Sequence, residues 1–354
     1  MRDGRQKITL KDIARATGFS VNTVSRALRG KDDISPKTRE KIEQARREMG
    51  YITNSLASSL RRGYSDTIAV ILGDISNPHF SIMMSDIELR ARSFGYGAVL
   101  LTTNEDEELE RNAIQAALNK NVDGIILCPC QKSDENIRYL QSVGVPFVLI
   151  GRRFDSVDTD YVICDDEQGG YLATKELIRS GHRRILMLQG APYISSARER
   201  LAGYIRAHEE AGLPVDRALV CEGSVMGEKG NGHYEQIMSR ELGFTAVFAF
   251  SDLIAWDFWR FLHSKGYTVP EDFSLVGFDH IQSRLYIPYE LCSVCSHKKL
   301  MSVETVDVLV RRMRGEAGEE HEHRVIETAI IRGETVRNIT DVSNLTVNIL
   351  HDLK

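Results

Sequence analysis

The sequence predicts an α/β protein: a three-helix head, then a body built from two series of parallel strands and helices. Three observations predict it. From Thr67 onward, short apolar runs alternate with amphipathic stretches, the pattern of parallel sheets with helices on both faces. The first fifty residues carry helix start and stop signals instead, with no strand-like run. At 354 residues the chain is also too long for one ordinary core, so two or three domains are expected.

In the head, Thr9 with Asp12 three residues on is a capping pair before "LKDIARATG", and Gly18 suits the stop and a tight turn. Ser20 can cap a second helix, whose Val24 and Leu28 share one face, with Ile13 and Phe19 as expected partners. "SPKTREKIEQARREMGY" supplies the third, with Ser35 as cap, Pro36 at the first helical position and Gly50 at the end. Two short helices joined around a glycine and buttressed by a third make a helix-turn-helix. Packing accounts for Val24 and Leu28, and leaves Val21, Asn22 and Arg26 facing outward.

Residues 53–63, "TNSLASSLRRG", are small and Ser-rich, which suits a hinge better than a core element. The first series in the body has strand candidates "TIAVIL", "GAVLL", "DGIILC" and "PFVLI", with helices near 80–94, 107–119 and 134–143. The second has "RILML", "ALVCE", "TAVFAF" and "FSLVGF", with helices near 168–179, 197–211, 230–239 and 253–264. Two such series suggest two similar lobes, with a ligand between them at the carboxyl ends of the strands.

Charge divides the chain the same way. Residues 1–63 hold 15 Lys/Arg against 7 Asp/Glu, while residues 64–354 hold 30 against 43. A basic head on an acidic body points to an anionic partner for the head alone. A membrane surface is the weaker choice, because the head lacks the apolar amphipathic face it needs. No apolar run approaches the roughly 18 residues of a membrane span, and the charged start "MRDGRQKITL" has no signal-like apolar core. The cytoplasm is therefore the expected compartment. The six cysteines sit among apolar neighbours, as reduced buried thiols do. "CSVC" has redox spacing but lies in a strand-like run, and "HEH" lacks partners at metal-ligand spacing. Phosphate-loop, dinucleotide, nucleophile-elbow and metal-helix motifs are not found. No catalytic residue, metal or cofactor is expected.

Head and body together resemble the lactose-repressor (LacI/GalR) family of bacterial transcription regulators, over residues 8–336. "TLKDIARATGFSVNTVSRALRG" with "SPKTREKIEQARREMGY" carries the resemblance in the head. "GDISNPHF", "DDEQGGYLATKELIRSGHRRI", "RERLAGY" and "SLVGFDH" carry it in the body, in the family's order. The resemblance implies a helix-turn-helix domain over 1–52, a hinge helix over 53–63 and a two-lobed periplasmic-binding-protein-like body over 64–340. One lobe would comprise 64–164 and 297–323, the other 165–296 and 324–340, leaving 341–354 as a tail. Leu345, Ile349 and Leu353 form a short apolar stripe in that tail.

It further implies that the second helix enters the DNA major groove. Val21, Asn22 and Arg26 would read bases, and Ser20, Thr23 and Ser25 would contact phosphates. Asn22 has the amide geometry for adenine, Arg26 the fork for guanine, and Val21 apolar contact for a thymine methyl. Asn54, Ala57 and Leu60 would form the minor-groove hinge, with Leu60 as the wedge at the central base step. Thr53 and Ser58 depart from the family's common Pro and Arg. In the body, Asp74, Ser76, Asn77, His79, Phe80, Arg153, Arg200, Ser251 and Asp279 would line the effector cleft. The expected effector is a small sugar or sugar derivative. Arg152, Arg153 and Arg200 together suggest a sugar acid or phosphate, while Val225 and Met226 stand where relatives often place an aromatic. Arg200 as a helix-face ion pair and Asp279 as a loop cap stay open. The expected partners are a pseudo-palindromic double-stranded operator, the effector and a second copy of the chain. The alternatives are a regulator tightened by a protein or phosphometabolite corepressor, and a ligand-binding protein without operator function.

Overall fold

In a computed structural model, the described residues are 8–51, 63–223, 228–285, 287 and 289–340. The chain divides into two compact units at Ser65 and Asp66. The first holds α1 (Leu10–Thr17), α2 (Val21–Leu28) and α3 (Pro36–Glu48). Each begins where the cap signals place it. Asp12 accepts from the Thr9 N–H at 2.9 Å, Ser20 Oγ from the Thr23 N–H at 3.0 Å and Ser35 Oγ from the Thr38 N–H at 3.2 Å. Gly18, at φ 77°, occupies the left-handed region that ends α1. Ile13, Val24, Ala27, Ile42 and Tyr51 form the buried core, with Phe19 and Leu28 packed against it.

The second unit contains two six-stranded sheets. The first sheet takes β1 (Thr67–Leu72), β2 (Gly97–Thr102), β3 (Gly124–Leu127), β4 (Phe147–Ile150), β5 (Tyr161–Cys164) and β11 (His323–Ile326). Their order is β11-β5-β4-β3-β1-β2, and every pairing is parallel. The helices α4 (Pro78–Ser93), α5 (Glu107–Asn119) and α6 (Glu135–Val143) connect successive strands.

The second sheet takes β6 (Ile185–Gln189), β7 (Val220–Glu222), β8 (Ala246–Ala249), β9 (Ser274–Asp279), β10 (Cys292–Cys295) and β12 (Ala329–Ile331). Its order is β12-β10-β9-β8-β6-β7, parallel except for the antiparallel edge pair β10–β12. It is served by α7 (Asp166–Arg179), α8 (Ser195–Glu210), α9 (Glu228–Ser239) and α10 (Asp252–Ser264). β1, β3, β4 and β8 are buried almost throughout, which explains why they read as continuous apolar runs rather than as alternation.

The chain crosses between sheets three times: after β5, after β10 into α11 (Lys298–Met313), and between β11 and β12. The last crossing corrects the expected lobe boundary. β11 stays paired with β5 as far as Ile326, opposite Cys164, so the first lobe runs three residues past 323. Part of the expected strand "ALVCE" is also a 3₁₀ turn at Arg217–Leu219, with the strand beginning at Val220. β5, α11, β11 and β12 were not among the elements expected from sequence. Cys292 is buried in β10, Cys295 half-buried, and all six cysteines are free thiols.

Two glycines in the family-like motifs set the spacing of α7 and α8. A Cβ on Gly170 would lie 2.2 Å from the Arg200 carbonyl, and one on Gly203 would lie 2.0 Å from that of Glu167. The helix backbones therefore touch only because both positions lack side chains. That contact brings Arg200 of α8 beside Asp166 at the start of α7.

Candidate functional site

In the head, α2 displays an outward face. Val21 is 41% exposed, Asn22 and Arg26 are exposed, and Thr23 and Ser25 are half-buried. Ser20 Oγ and Thr23 Oγ1 lie 2.8 Å apart, so the cap and the first turn share a hydroxyl pair. The Arg26 guanidinium rests on the Asp33 carboxylate at 2.5 Å, with both side chains about half exposed. Such a solvent-exposed pair contributes only about 0–1 kcal/mol, so it aims the guanidinium without holding it away from a stronger partner. The expected hinge residues Asn54, Ala57 and Leu60 lie outside the described residues, as do Thr53, Ser58, Val225, Met226 and the 341–354 tail.

In the body, a cavity of about 510 Å³ lies where strands of both sheets end, within the usual range for a small-molecule site. Of the residues named from sequence, Asp74, Asn77, His79, Phe80, Arg200, Ser251 and Asp279 line it. Asn77 accepts from the His79 N–H at 3.0 Å and caps α4, with Pro78 in the first turn. The cap turns His79 and Phe80 toward the cavity. Ser76 is not among the lining residues; its hydroxyl donates to Asp74 at 2.7 Å.

His79 reaches the opposite lobe, with Nδ1 3.4 Å from Asp279 Oδ1. Burial lowers its pKa to about 4 despite the pull of Asp279, so its imidazole is neutral near pH 7. Asp279 itself is held in the left-handed region at φ 103°, an unusual conformation for a non-glycine residue. Buried Lys298 at the start of α11 donates to the backbone oxygens of Asp279 and His280. Behind β9, Asp252 accepts from the Ile281 N–H at 2.8 Å and the Ser293 hydroxyl at 2.6 Å. Burial, reinforced by Asp279, pushes its pKa up to about 8.

Arg200 is both a cleft residue and a buried ion pair. Its Nε donates to Asp166 at 2.7 Å, another nitrogen donates to the Phe250 carbonyl, and Nη2 lies 3.9 Å from Asp279. The guanidinium also stacks over Phe278 and Phe250.

Arg153 requires a correction. It is not among the residues lining the cavity; it pairs instead with Asp155 and with Glu199 at 2.8 Å. Its neighbour Arg152 lines the cavity, so these two consecutive side chains face different sides. Sequence reasoning also missed Asn104, Glu105, Tyr193, Glu222 and Phe250. For four of these the signal was position: Asn104 and Glu105 follow β2, Glu222 ends β7 and Phe250 follows β8.

Two groups of bonds bridge the lobes. In one, the Ser195 N–H donates to Gln131 at 2.9 Å, Arg153 pairs with Glu199 at 2.8 Å, and Arg198 pairs with Asp155 at 3.2 Å. In the other, Arg284 holds both carboxylate oxygens of buried Asp86, at 2.8 and 2.9 Å, and His79 faces Asp279. Among the described residues no group of His, Cys, Asp and Glu is arranged to hold a metal ion. No helix among them is long and apolar enough to cross a membrane.

A helix-turn-helix unit joined to a two-lobed, cleft-bearing unit is the architecture of a DNA-binding regulator with a ligand-binding domain. The particular family follows from comparison with known proteins. Residues 9–54 match the model "Bacterial regulatory proteins, lacI family", and residues 65–335 match "Periplasmic binding proteins and sugar binding domain of LacI family". The chain belongs to the LacI family and is a DNA-binding transcriptional repressor with a ligand-binding domain.

It is 31% identical to the HTH-type transcriptional repressor PurR of Vibrio atlanticus over 94% of this chain and 99% of that one. The structure of the lac repressor dimer bound to operator and the anti-inducer ONPF matches with a TM-score of 0.81 at 26% identity. It covers 94% of this chain and 100% of that one. The complex of the transcriptional regulator CelR with cellobiose matches at a TM-score of 0.70 and 31% identity, over 93% and 99% of the two chains.

Proposed function

We propose that the protein is a homodimeric repressor whose affinity for a pseudo-palindromic operator is set by a small carbohydrate-like effector in the cleft. The observation that carries the effector half is the cavity itself. Its rim is polar at Asp74, Asn77, Ser251 and Asp279, and its wall is aromatic at Phe80 and Phe250. A sugar ring presents apolar faces and a hydroxylated edge, so it matches that arrangement. The CelR structure supports the reading, because that related regulator is in complex with cellobiose.

On the DNA side, Val21, Asn22 and Arg26 read base edges, while Ser20, Thr23 and Ser25 fix the register on phosphates. Asn54, Ala57 and Leu60 form the paired hinge, with Leu60 as the wedge. Palindromic half-sites require two heads, and the operator-bound lac repressor dimer supports that assembly. The effector changes which inter-lobe bonds form around the cleft. Lobe movement in each subunit then alters the spacing of the two hinges.

The test is selection of binding sites from random DNA, with and without a panel of sugars, sugar acids and nucleobases. The expected result is a two-fold-symmetric site whose enrichment changes with one class of compound. A non-symmetric site contradicts the dimer reading, and enrichment indifferent to every compound contradicts the effector reading. A compound that raises enrichment identifies a corepressor instead of an inducer. Leu60→Ala should weaken the selected site far more than random DNA; equal weakening of both contradicts the wedge.

A further inference from the structure

The arginines that suggest an acidic ligand are already neutralised from within the protein. Arg152 lines the cavity, but Glu105 holds it at 2.7 and 3.0 Å, and it also donates to the Pro129 carbonyl at 2.9 Å. Arg200 is paired with Asp166. The cavity wall presents four carboxylates, Asp74, Glu105, Glu222 and Asp279, against these two guanidinium groups. The imidazole of His79 adds no positive charge near neutral pH, because burial keeps it unprotonated.

The Glu105–Arg152 contact is built into the backbone. Asn104 and Glu105 are consecutive non-glycine residues in the left-handed region, at φ 48° and 59°, where side chains are uncommon. The Glu105 N–H donates to Thr103 Oγ1 at 3.3 Å, which helps fix this turn. Gly73, at the end of β1, leaves the space: a Cβ there would lie 2.6 Å from Glu105 Oε1. The strained turn and the missing side chain both serve to place a carboxylate on Arg152.

We propose that Glu105 is a specificity determinant of the cleft, occupying Arg152 as an internal counter-ion and so confining effectors to neutral or cationic, donor-rich molecules. An anionic ligand would have to displace Glu105 and approach a wall whose excess charge has its own sign. In a partly desolvated site both effects are large. Neutral hydroxyls, by contrast, can donate to the same carboxylates. The proposal rests on the cleft being the effector site, but its charge rule can be tested without any effector.

The experiment titrates inorganic phosphate into the full-length protein by calorimetry at constant ionic strength. It compares the wild type, Glu105→Gln, Glu105→Ala and the double variant Glu105→Gln/Arg152→Gln, with unfolding temperature read in parallel. Both single variants are expected to bind phosphate at least about tenfold more tightly than the wild type, and the double variant to lose that gain. Equal phosphate affinity in the wild type and both single variants overturns the proposal. So does tight binding by the wild type that the double variant abolishes. A phosphate gain in the variants, without any effector response in operator binding, leaves the charge rule standing and removes only the effector reading.

Discussion

The two surfaces proposed for recognition are built in opposite ways. The outward face of α2 comes from one run of eight residues, Val21–Leu28, capped by Ser20 and seated by Val24 and Ala27. The cleft gathers side chains from strand ends and helix starts between Asp74 and Asp279. A surface made locally can change one residue without disturbing its neighbours. A surface made from many segments is also part of the packing, so its residues carry both stability and specificity. Arg200 shows this most clearly, since it lines the cavity and neutralises Asp166.

That difference should appear directly in substitutions. The largest effect is expected for Arg200→Ala, which leaves Asp166 buried without its partner and should cost about 3–5 kcal/mol of stability. Urea unfolding measures it, and a loss below about 1 kcal/mol would mean that the cleft residues are dispensable to the fold. Next comes His79. Its folded pKa of about 4 lies below the ordinary 6.5. Its contribution is therefore present above pH 6.5 and is lost as pH falls toward 4. Unfolding at pH 7 and pH 4.5 should show His79→Phe losing about 2–3 kcal/mol less on acidification than the wild type. Identical losses would place the imidazole in a more solvated setting.

In the head, the balance should reverse. Arg26→Ala should remove about 1–3 kcal/mol of discrimination at one symmetric pair of base positions, with stability unchanged within about 0.5 kcal/mol. An unchanged binding-site profile would show that Arg26 does not read a base. The smallest expected effect is that of Ser20→Ala, a lost helix cap worth about 1 kcal/mol. Thermal unfolding of the protein resolves it, and a loss confined to DNA affinity would show that the Ser20 hydroxyl serves phosphate contact alone.

The same contrast explains how much was legible in the sequence. Ser20, Pro36 and Gly18 announce the head because caps and stops act over one helical turn. Asn77 and Ser251 came instead from the family resemblance, and the structure shows that each caps a helix at the end of a strand. Arg152 and Arg153 were not separable, since adjacent positions in an extended segment differ only in which side they face. Glu105 was hidden more deeply. Its place depends on a left-handed turn without glycine and on the space above Gly73, both non-local facts. Strand β11 was obscured because "HRVI" is short and largely exposed, and pairs with β5 more than 150 positions earlier in the chain.

Occupancy of the cleft is proposed to control affinity for DNA. Fluorescence anisotropy on a selected operator, with and without the neutral compounds of the panel, tests it most directly in the wild type and in Asp279→Asn. One compound is predicted to change wild-type operator affinity by about 5- to 150-fold. The Asp279→Asn variant should still bind the operator but respond only weakly. A wild type indifferent to every compound, or a variant that responds as strongly as the wild type, would contradict the account.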